Sequence, residues 1–275
     1  MNKALKKSSI IIILIAINII VITGCSMKKT DNFNGEIIES PKVVLKKENA
    51  NALNIENREI VNISNSENLQ PIKIKNVESF DIYKISLKYE ELDENKNVIV
   101  ESKTVLDMTL SPGETAYVWY EHQKYTDNIR VVGYRYETDG QFASINFEKD
   151  TVNIKESKDK LEDSNKYEIL AISDMNRVNE SKEGDTYKVK VRNSSPKDLG
   201  NIILKIGELN EDGEYINVSS VASNRVLRSE EEIEIDTIVS NKATASKVIG
   251  YTYDDPQDKM NVVIDLKSHK AKVKS

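Results

Sequence analysis

Apolar and polar residues alternate along most of the chain beyond residue 49. Ile72 and Ile74, for example, alternate with Lys73 and Lys75, a spacing typical of a strand with one buried face. The same alternation predicts strands at residues 85–91, 98–108, 115–122, 129–137 and 142–148. No ten-residue stretch of the sequence has apolar residues spaced as in an amphipathic helix, so the pattern predicts an all-β fold with few helices.

An internal repeat organises these predicted strands. The sequence VVGYRY at residues 131–136 recurs as VIGYTY at residues 248–253, and this shift of 117 residues also carries Asn76 onto Asn193. Without gaps over residues 53–148, the shift gives 22 identities in 96 aligned positions. Short strands separated by turns in about 100 residues favour an immunoglobulin-like β-sandwich. The sequence therefore predicts two tandem immunoglobulin-like β-sandwich domains.

A basic and then apolar leader precedes the repeat. Lys3, Lys6 and Lys7 come before an apolar run that ends near residue 22, and the single cysteine of the chain, Cys25, stands just beyond it. This pattern predicts a cleaved secretory signal peptide. An uncleaved anchor is the alternative, but Asn18 interrupts the run, which is shorter than the about 20 apolar residues of a membrane-spanning helix.

The end of the leader resembles the lipobox of bacterial lipoproteins, with Ile22, Thr23, Gly24 and Cys25 matching its four positions. The resemblance implies cleavage before Cys25 and a diacylglycerol thioether on its sulfur. It also implies attachment to the extracytoplasmic face of the cell membrane, and stable attachment takes two or more acyl chains.

These features predict five segments of the chain. Residues 1–24 form the signal peptide, 25–49 a lipidated tether, 50–156 the first sandwich, 157–166 a polar linker and 167–275 the second sandwich, with a basic tail from about residue 267. The short apolar groups at residues 37–38 and 43–45 leave open an additional edge strand in the tether. We expect each sandwich to fold without the other, as many domains of about 100 residues do.

The charge of the predicted mature chain is negative. The full chain has 39 basic and 45 acidic residues, and residues 1–24 contain three lysines and no acid, which leaves 36 basic residues. An acidic chain is a poor match for nucleic acid or for an anionic membrane surface. We expect no nucleic-acid partner.

The order of motifs within each copy is similar to that of FxLYD domains. These motifs are a strand ending in Asn76, the alternating residues 85–91 with a polar hairpin, and the turn SPGE at residues 111–114. The aromatic and acidic pair that names the family is reduced to Tyr89 and Glu90 here. FxLYD domains occur in bacterial lipoproteins and cell-surface proteins. The resemblance implies an extracytoplasmic interaction module without catalytic residues.

Candidate catalytic and metal-binding residues are few. The two histidines are His122, predicted at the edge of a core, and His269, predicted in the basic tail. Asp93, Asn95 and Asn97 have the spacing of a calcium loop, but the glycine and the glutamate that such a loop requires are missing, so a hairpin turn is predicted. The sequence contains no zinc, phosphate-loop or redox motif, and we expect no metal or cofactor.

Comparison of the two copies suggests a binding surface. At five aligned positions, copy 1 has an aromatic residue where copy 2 has a charged one, which predicts exposure of these side chains. They are Phe80, Tyr117, Trp119, Tyr125 and Phe142. An exposed aromatic patch is typical of interaction sites. The alternative is that these aromatics pack against the tether, against copy 2 or against a second subunit.

Three functions are compatible with these observations. The preferred hypothesis is a membrane-anchored extracytoplasmic lipoprotein that acts as a non-catalytic binding module for an envelope protein, a peptide or a glycan. A solute-binding lipoprotein of a transporter is the second, although such proteins alternate strands with helices in two lobes. A wall-modifying enzyme is the third, although the sequence offers no evident pair of nucleophile and base.

Overall fold

The structure, a computed structural model, describes residues 43–57, 61–64, 67–122 and 129–274. The residues from 43 onward belong to one compact unit. Its described part is almost entirely β-structure, and its helices are two short 3-10 turns, Lys47–Asn49 and Ser164–Lys166. No helix in these ranges has the length and apolar character that a membrane span requires.

Copy 1, defined as residues 50–156, forms two packed sheets. Its strands are β1 (Leu53–Asn57), β2 (Val61–Ser64), β3 (Glu67–Asn76), β4 (Tyr83–Leu92), β5 (Val98–Leu106), β6 (Thr115–Glu121), β7 (Ile129–Thr138), β8 (Gln141–Asn146) and β9 (Thr151–Glu156). In the smaller sheet, β3 lies between β6 on one side and β1 and β2 on the other, and the larger sheet has the order β5-β4-β7-β8-β9.

Copy 2, defined as residues 167–275, repeats this arrangement after an extra short strand, β10 (Glu162–Asp163). Its strands are β11 (Leu170–Ile172), β12 (Asn176–Asn179), β13 (Asp185–Asn193), β14 (Gly200–Leu209), β15 (Tyr215–Ala222), β16 (Glu232–Val239), β17 (Ala245–Asp255), β18 (Met260–Asp265) and β19 (Lys270–Lys274). Each strand of copy 1 therefore has a partner ten strands later, and the prediction of two tandem immunoglobulin-like sandwiches is confirmed.

The repeated glycine of the VVGYRY and VIGYTY sequences has a common structural cause. A Cβ atom on Gly133 would lie 2.3 Å from the carbonyl oxygen of Ile145, and one on Gly250 would lie 2.6 Å from that of Ile264. Each glycine thus lets the following strand approach closely. The tyrosine after it is buried in both copies, as Tyr134 and Tyr251.

The two copies differ in length at one turn. Glu137 pairs with Phe142 across the β7–β8 hairpin, whereas the equivalent Asp254 pairs with Asn261 across β17 and β18. The turn of copy 2 is therefore two residues longer, and the shift between the copies is 119 rather than 117 beyond it. The alignment of Phe142 with Lys259 is wrong, since the structural counterpart of Phe142 is Asn261.

Three segment boundaries also differ from the sequence prediction. The predicted basic tail contains β19, which pairs with β18 along its length and contributes the buried Ala271. The predicted linker contains β10, which pairs with β19. The last part of the predicted tether packs on copy 1, because Leu45 is buried in its core and the Leu45 N–H donates to Oε1 of Gln141 at 2.7 Å. Residues 43–46 form no strand.

Candidate functional site

The two copies are joined through β6 and β15. Ala116 and Tyr215 form a parallel bridge, which continues the smaller sheet of copy 1 into the larger sheet of copy 2 as one ten-stranded sheet. The side chain of Tyr215 is 2% exposed and belongs to the core cluster of copy 1, together with Ile249. Copy 2 therefore contributes side chains to the core of copy 1.

Tyr117 and Trp119, two residues of the predicted binding patch, lie at this junction. The hydroxyl of Tyr117 donates to Oε2 of Glu214 at 3.0 Å, and Nε1 of Trp119 donates to the carbonyl of Ile216 at 2.8 Å. Lys73 also forms an ion pair with Glu214, at 2.5 Å. Both aromatic side chains are half-buried, and they bind copy 2.

A buried lysine adds to the same junction. Nζ of Lys267 donates to the carbonyl of Thr109 at 2.7 Å, pairs with Glu114 and lies 4.4 Å from the ring centroid of Tyr215. Burial lowers the pKa of Lys267, and the Glu114 carboxylate partly offsets this effect. Thr109 donates to Asp265 at 2.5 Å, so charged and polar contacts surround the apolar bridge.

A small cavity of 120 Å³ lies between the copies and is rich in lysine. Each of its four lysines is paired with a carboxylate, in the pairs Lys84–Glu137, Lys205–Asp107, Lys270–Asp139 and Lys272–Asp159. Three of these pairs join a lysine of copy 2 to an acid of copy 1 or of the connecting segment. The cavity therefore belongs to the attachment between the copies.

The predicted aromatic patch assumed exposed side chains. This prediction is wrong for Phe80, which is buried, and for Tyr117 and Trp119, which are half-buried. Phe80 is 9% exposed and packs in the core of copy 1. Its counterpart Lys197 reaches Asp255 instead, at 2.9 Å, so a charge in one copy did not imply exposure in the other. Phe142 lies apart from the junction, on β8 under the guanidinium of Arg135.

The remaining predicted site residues fall outside the described part of the chain. They are Ile22, Thr23, Gly24 and Cys25 of the lipobox and Tyr125 of the patch. A binding role for the patch residues stays a prediction.

A cluster of polar side chains is buried at one end of copy 1, where β3 begins and where β4 and β6 end. We call Gln70, Tyr89, Glu91, Tyr120 and His122 the polar cluster; each is at most 7% exposed. Nε2 of His122 lies 3.2 Å from Oε1 of Gln70, and the hydroxyl of Tyr120 donates to Oε1 of Glu91 at 2.6 Å. The Tyr89 and Tyr120 rings are 4.6 Å apart.

Two polar atoms of the cluster lack a hydrogen-bond partner within the described residues. They are the hydroxyl of Tyr89 and Nδ1 of His122. Burial raises the pKa of the Tyr89 hydroxyl well above its usual value, and burial together with the Glu91 carboxylate does the same for Tyr120. Both hydroxyls are therefore neutral hydrogen-bonding groups at physiological pH.

Copy 2 shows which members of the cluster the fold requires. The equivalents of Tyr89, Tyr120 and His122 are Ile206, Thr237 and Val239, all of them buried. The carboxylate is retained, because Glu208 occupies the position of Glu91 and accepts hydrogen bonds from Ser240 and Asn217. A sandwich of this type thus folds with a largely apolar interior where copy 1 has two tyrosines and a histidine.

The cluster was visible only in part from the sequence. His122 and its counterpart Val239 were aligned, but a single histidine at a core edge is ordinarily structural. The differences that accompany it, Tyr89 against Ile206 and Tyr120 against Thr237, replace one uncharged residue by another and so escaped a comparison that looked for charge. Applied to residues predicted to face inward, the same comparison would have found the cluster.

Metal binding has little support among the described residues. They contain no group of three or more His, Cys, Asp or Glu side chains arranged to hold an ion. The residues with calcium-loop spacing form the hairpin turn that the sequence predicts, in which Oδ1 of Asp93 accepts from the backbone N–H groups of Asn95 and Asn97. A hydrogen bond from the Asn97 side chain, together with those two backbone hydrogen bonds, lowers the pKa of Asp93.

Comparisons with known proteins identify no family. No family model matches the sequence, and no curated protein is similar to it. Among solved structures, the chain is similar to the crystal structure of red sea bream transglutaminase, with 9% identity, a TM-score of 0.22 and an alignment that covers 75% of this chain and 29% of that one. The chain thus aligns with less than a third of that enzyme, and at this TM-score the two structures do not superpose as wholes. The fold of this chain is all-β, with two immunoglobulin-like sandwiches.

Proposed function

We propose that this protein is a lipid-anchored lipoprotein of the extracytoplasmic membrane face, and that it acts as a non-catalytic binding module. The anchor is the lipobox with Cys25, and the binding site is the polar cluster of copy 1. The ligand is a polar group of an envelope peptide or glycan, because the cluster offers hydroxyl, imidazole, amide and carboxylate groups. Gln70 and His122 are the most exposed members of the cluster, at 7% and 5%. The ligand therefore reaches the cluster from the side on which these two residues lie.

The observation that carries this proposal is the contrast between the buried polar cluster and its apolar counterpart in copy 2. Leaving a buried polar atom without a hydrogen bond costs about 1–3 kcal/mol. Among the described residues, copy 1 bears this cost at Tyr89 and His122, whereas copy 2 has Ile206 and Val239 at these two positions and bears a similar cost elsewhere, for example at the Tyr251 hydroxyl. Since an equivalent core folds without these groups, their presence is better explained by recognition than by stability.

The test removes the hydroxyl of Tyr89 and the imidazole of His122 while keeping the fold. Tyr89→Phe retains the ring, and His122→Val imports the residue of copy 2. We expect Tyr89→Phe to melt at or slightly above the temperature of the unmodified chain, because a hydroxyl without a partner is removed. His122→Val should melt slightly lower but still fold, because the buried Gln70 loses its contact with the imidazole. The matched control is Tyr251→Phe, which makes the same change at a buried tyrosine of copy 2.

Binding is measured on the full chain in two ways. Purified wall glycan fragments are titrated against the protein, and neighbours are cross-linked in intact cells and compared between variants. We expect Tyr89→Phe and His122→Val to lose one of these interactions by about tenfold or more, as a lost buried hydrogen bond to a ligand would require. If both variants bind as the control does, the polar cluster is not the site. If Tyr89→Phe instead unfolds the chain, the cluster is structural.

A further inference from the structure

The outer edge of β5 is an uncovered strand edge of copy 1. β5 ends the five-stranded sheet, and within the described residues its ladder partner is β4 alone. Three large apolar side chains of this strand are exposed, Val98 at 43%, Ile99 at 44% and Val105 at 57%. An exposed apolar edge strand is a template for pairing with another strand.

The second copy of the fold already uses the corresponding edge. β15 occupies in copy 2 the position that β5 occupies in copy 1, and its outer side pairs with β6 at Tyr215. In copy 2, another strand therefore contacts the first residue of this edge. In copy 1 the edge is left open among the described residues.

The sequence of β5 is complementary to itself when reversed. Glu101 and Lys103 lie one residue before and one residue after Ser102, and Ile99 and Val105 lie three residues before and three after it. These four side chains are exposed and have odd numbers, so they lie on the outer face of the strand. An antiparallel pair of β5 strands centred on Ser102 would place Glu101 opposite Lys103 of the other copy, and Ile99 opposite Val105.

Glu101 and Lys103 each lie opposite a residue of like charge on β4, although an ion pair with Arg130 at 2.6 Å partly offsets the charge of the Glu90 carboxylate. Across the ladder between β4 and β5, Glu101 lies opposite Glu90, and Lys103 lies opposite Lys88. Like charges directly opposite one another destabilise a strand pair. A second β5 strand in the register just described offers each of them an opposite charge on its other side.

We propose that two copies of this chain associate through β5, in an antiparallel two-fold pair centred on Ser102. The pairing joins two five-stranded sheets into one and buries the exposed apolar side chains at its two ends. A bulge at Ile99, opposite Leu92, interrupts the ladder with β4, so the outer pair of Ile99 with Val105 lies at the margin of the contact. From Val100 onward, a stretch that includes Glu101 and Lys103, the ladder is regular. The arrangement is isologous, so it closes at two copies.

The edge at β16 is a poorer partner for β5 than a second β5 strand is. In copy 2, β16 corresponds to β6, and Glu234 and Asp236 replace the Tyr117 and Trp119 that hold the internal junction. Carboxylates cannot donate a hydrogen bond to a carbonyl as Trp119 does, and β5 carries Glu101 on its outer face. Head-to-tail association of β16 with β5 would therefore resemble the pairing of β6 with β15 within the chain, but it would lack the hydrogen bonds that Tyr117 and Trp119 make there.

The expected strength of this association is modest. A nine-residue edge is about 30 Å long, and pairing along it buries less than the about 1,200 Å² of a standard stable interface. We expect a weak dimer in solution. If the chain is lipid-anchored, as proposed above, confinement to a membrane raises the effective concentration and favours the dimer.

Charge reversal gives a direct test with the full chain carrying Cys25→Ser, so that lipid plays no part. Lys103→Glu places Glu against Glu, and Glu101→Lys places Lys against Lys, so each variant should associate about tenfold or more weakly than the parent in sedimentation. An equimolar mixture of the two variants restores complementary pairs and should form a heterodimer. The matched control is Lys155→Glu, the same charge change on β9 at the opposite edge of the sheet, which should associate as the parent does.

The contact itself is checked by carbodiimide cross-linking of an equal mixture of isotope-labelled and unlabelled chains. Mixed-isotope peptides that join Glu101 to Lys103 are expected. A parent chain that stays monomeric at millimolar concentration overturns the proposal, and so does association that Lys103→Glu and Lys155→Glu weaken equally. Cross-links from β5 to other proteins only, with none between copies, would assign the edge to a different partner. Because lipid and wall ligands are absent from this test, its failure leaves the proposed binding function standing.

Discussion

The indole of Trp119 in copy 1 donates its N–H to the carbonyl of Ile216 in copy 2, across 2.8 Å. Trp119→Asp, which imports the residue of copy 2, replaces this donor by a carboxylate facing a carbonyl. We expect a loss of about 2 kcal/mol in the free energy of unfolding, since a partly buried acceptor loses its partner and a charge is partly buried. For a chain of this size the melting temperature falls by about 4 °C or more.

The control for this variant is Val178→Asp, which places the same charge at a side chain that is 52% exposed on β12. Its melting temperature should stay close to that of the parent. An equal melting temperature for Trp119→Asp and the parent would contradict the role of Trp119 in the junction.

Tyr215 supplies the second test of the junction. Because its side chain is buried in the core cluster of copy 1, Tyr215→Ala should cost about 3–5 kcal/mol and should loosen copy 1 although the residue belongs to copy 2. Hydrogen exchange of the backbone amides of β4 and β6 measures this effect. Tyr253→Ala, at a tyrosine buried in the core of copy 2 itself, should speed exchange in copy 2 first. The reverse order would show that the copies are energetically separate.

The junction should also respond to acid through Glu214. Burial favours the neutral form of this carboxyl, but hydrogen bonds from Lys73, Asn210 and Tyr117 outweigh it and hold the pKa below its ordinary value of 4.5. A lowered pKa in the folded state means that the unfolded chain takes up the proton more readily. The stabilisation is therefore present above pH 4.5 and is lost as the pH falls through the lower folded pKa.

Glu214→Gln isolates this contribution. The variant should be less stable than the parent at neutral pH, and the difference should shrink in melting curves recorded from about pH 5 down to pH 3. A difference that is constant over this range would show that the charge of Glu214 does not stabilise the junction.

Lipidation is tested by Cys25→Ser. The thiol of Cys25 is the only one in the chain, so the variant should lack the lipid mass and should leave the detergent phase in phase partitioning. Intact-mass measurement of the membrane fraction gives the direct comparison. Equal masses and equal partitioning of variant and parent would show that the lipobox interpretation is wrong.

Much of the fold followed from local pattern, because burial of one strand face leaves a period of two in the sequence. The alternation of Ile72 and Ile74 with lysines marks β3, and the repeat correctly placed β14 at a shift of 117 from β4. The turn at residues 93–97 also followed from its Asp and Asn side chains, which bind the backbone locally. Each of these signals lies within a few residues of the element it predicts.

The junction did not follow from such signals. The alternation of residues correctly predicted that Trp119 points away from the interior of its own sandwich. It could not show that Ile216 of copy 2 packs against that outer face. The ungapped alignment hid the two added residues before β18 and so misplaced Phe142. In β19, lysines alternate with Ala271 and Val273, and the strand is short enough that its charge suggested a tail. The junction depends on residues about 100 positions apart, which sequence periodicity does not relate.

The packing of residues 43–49 on copy 1 has a mechanical consequence. If Cys25 is held in a membrane, a force on the protein enters the fold through Leu45 and Ala50. Leu45 is buried in the core, and the Tyr136 hydroxyl donates a hydrogen bond to the carbonyl of Ala50 at 3.0 Å. Immediately beyond, β1 runs antiparallel to β3 over five residue pairs, which share a load applied along the strand instead of opening one at a time. A pull directed along β1 would therefore act on these five pairs in shear.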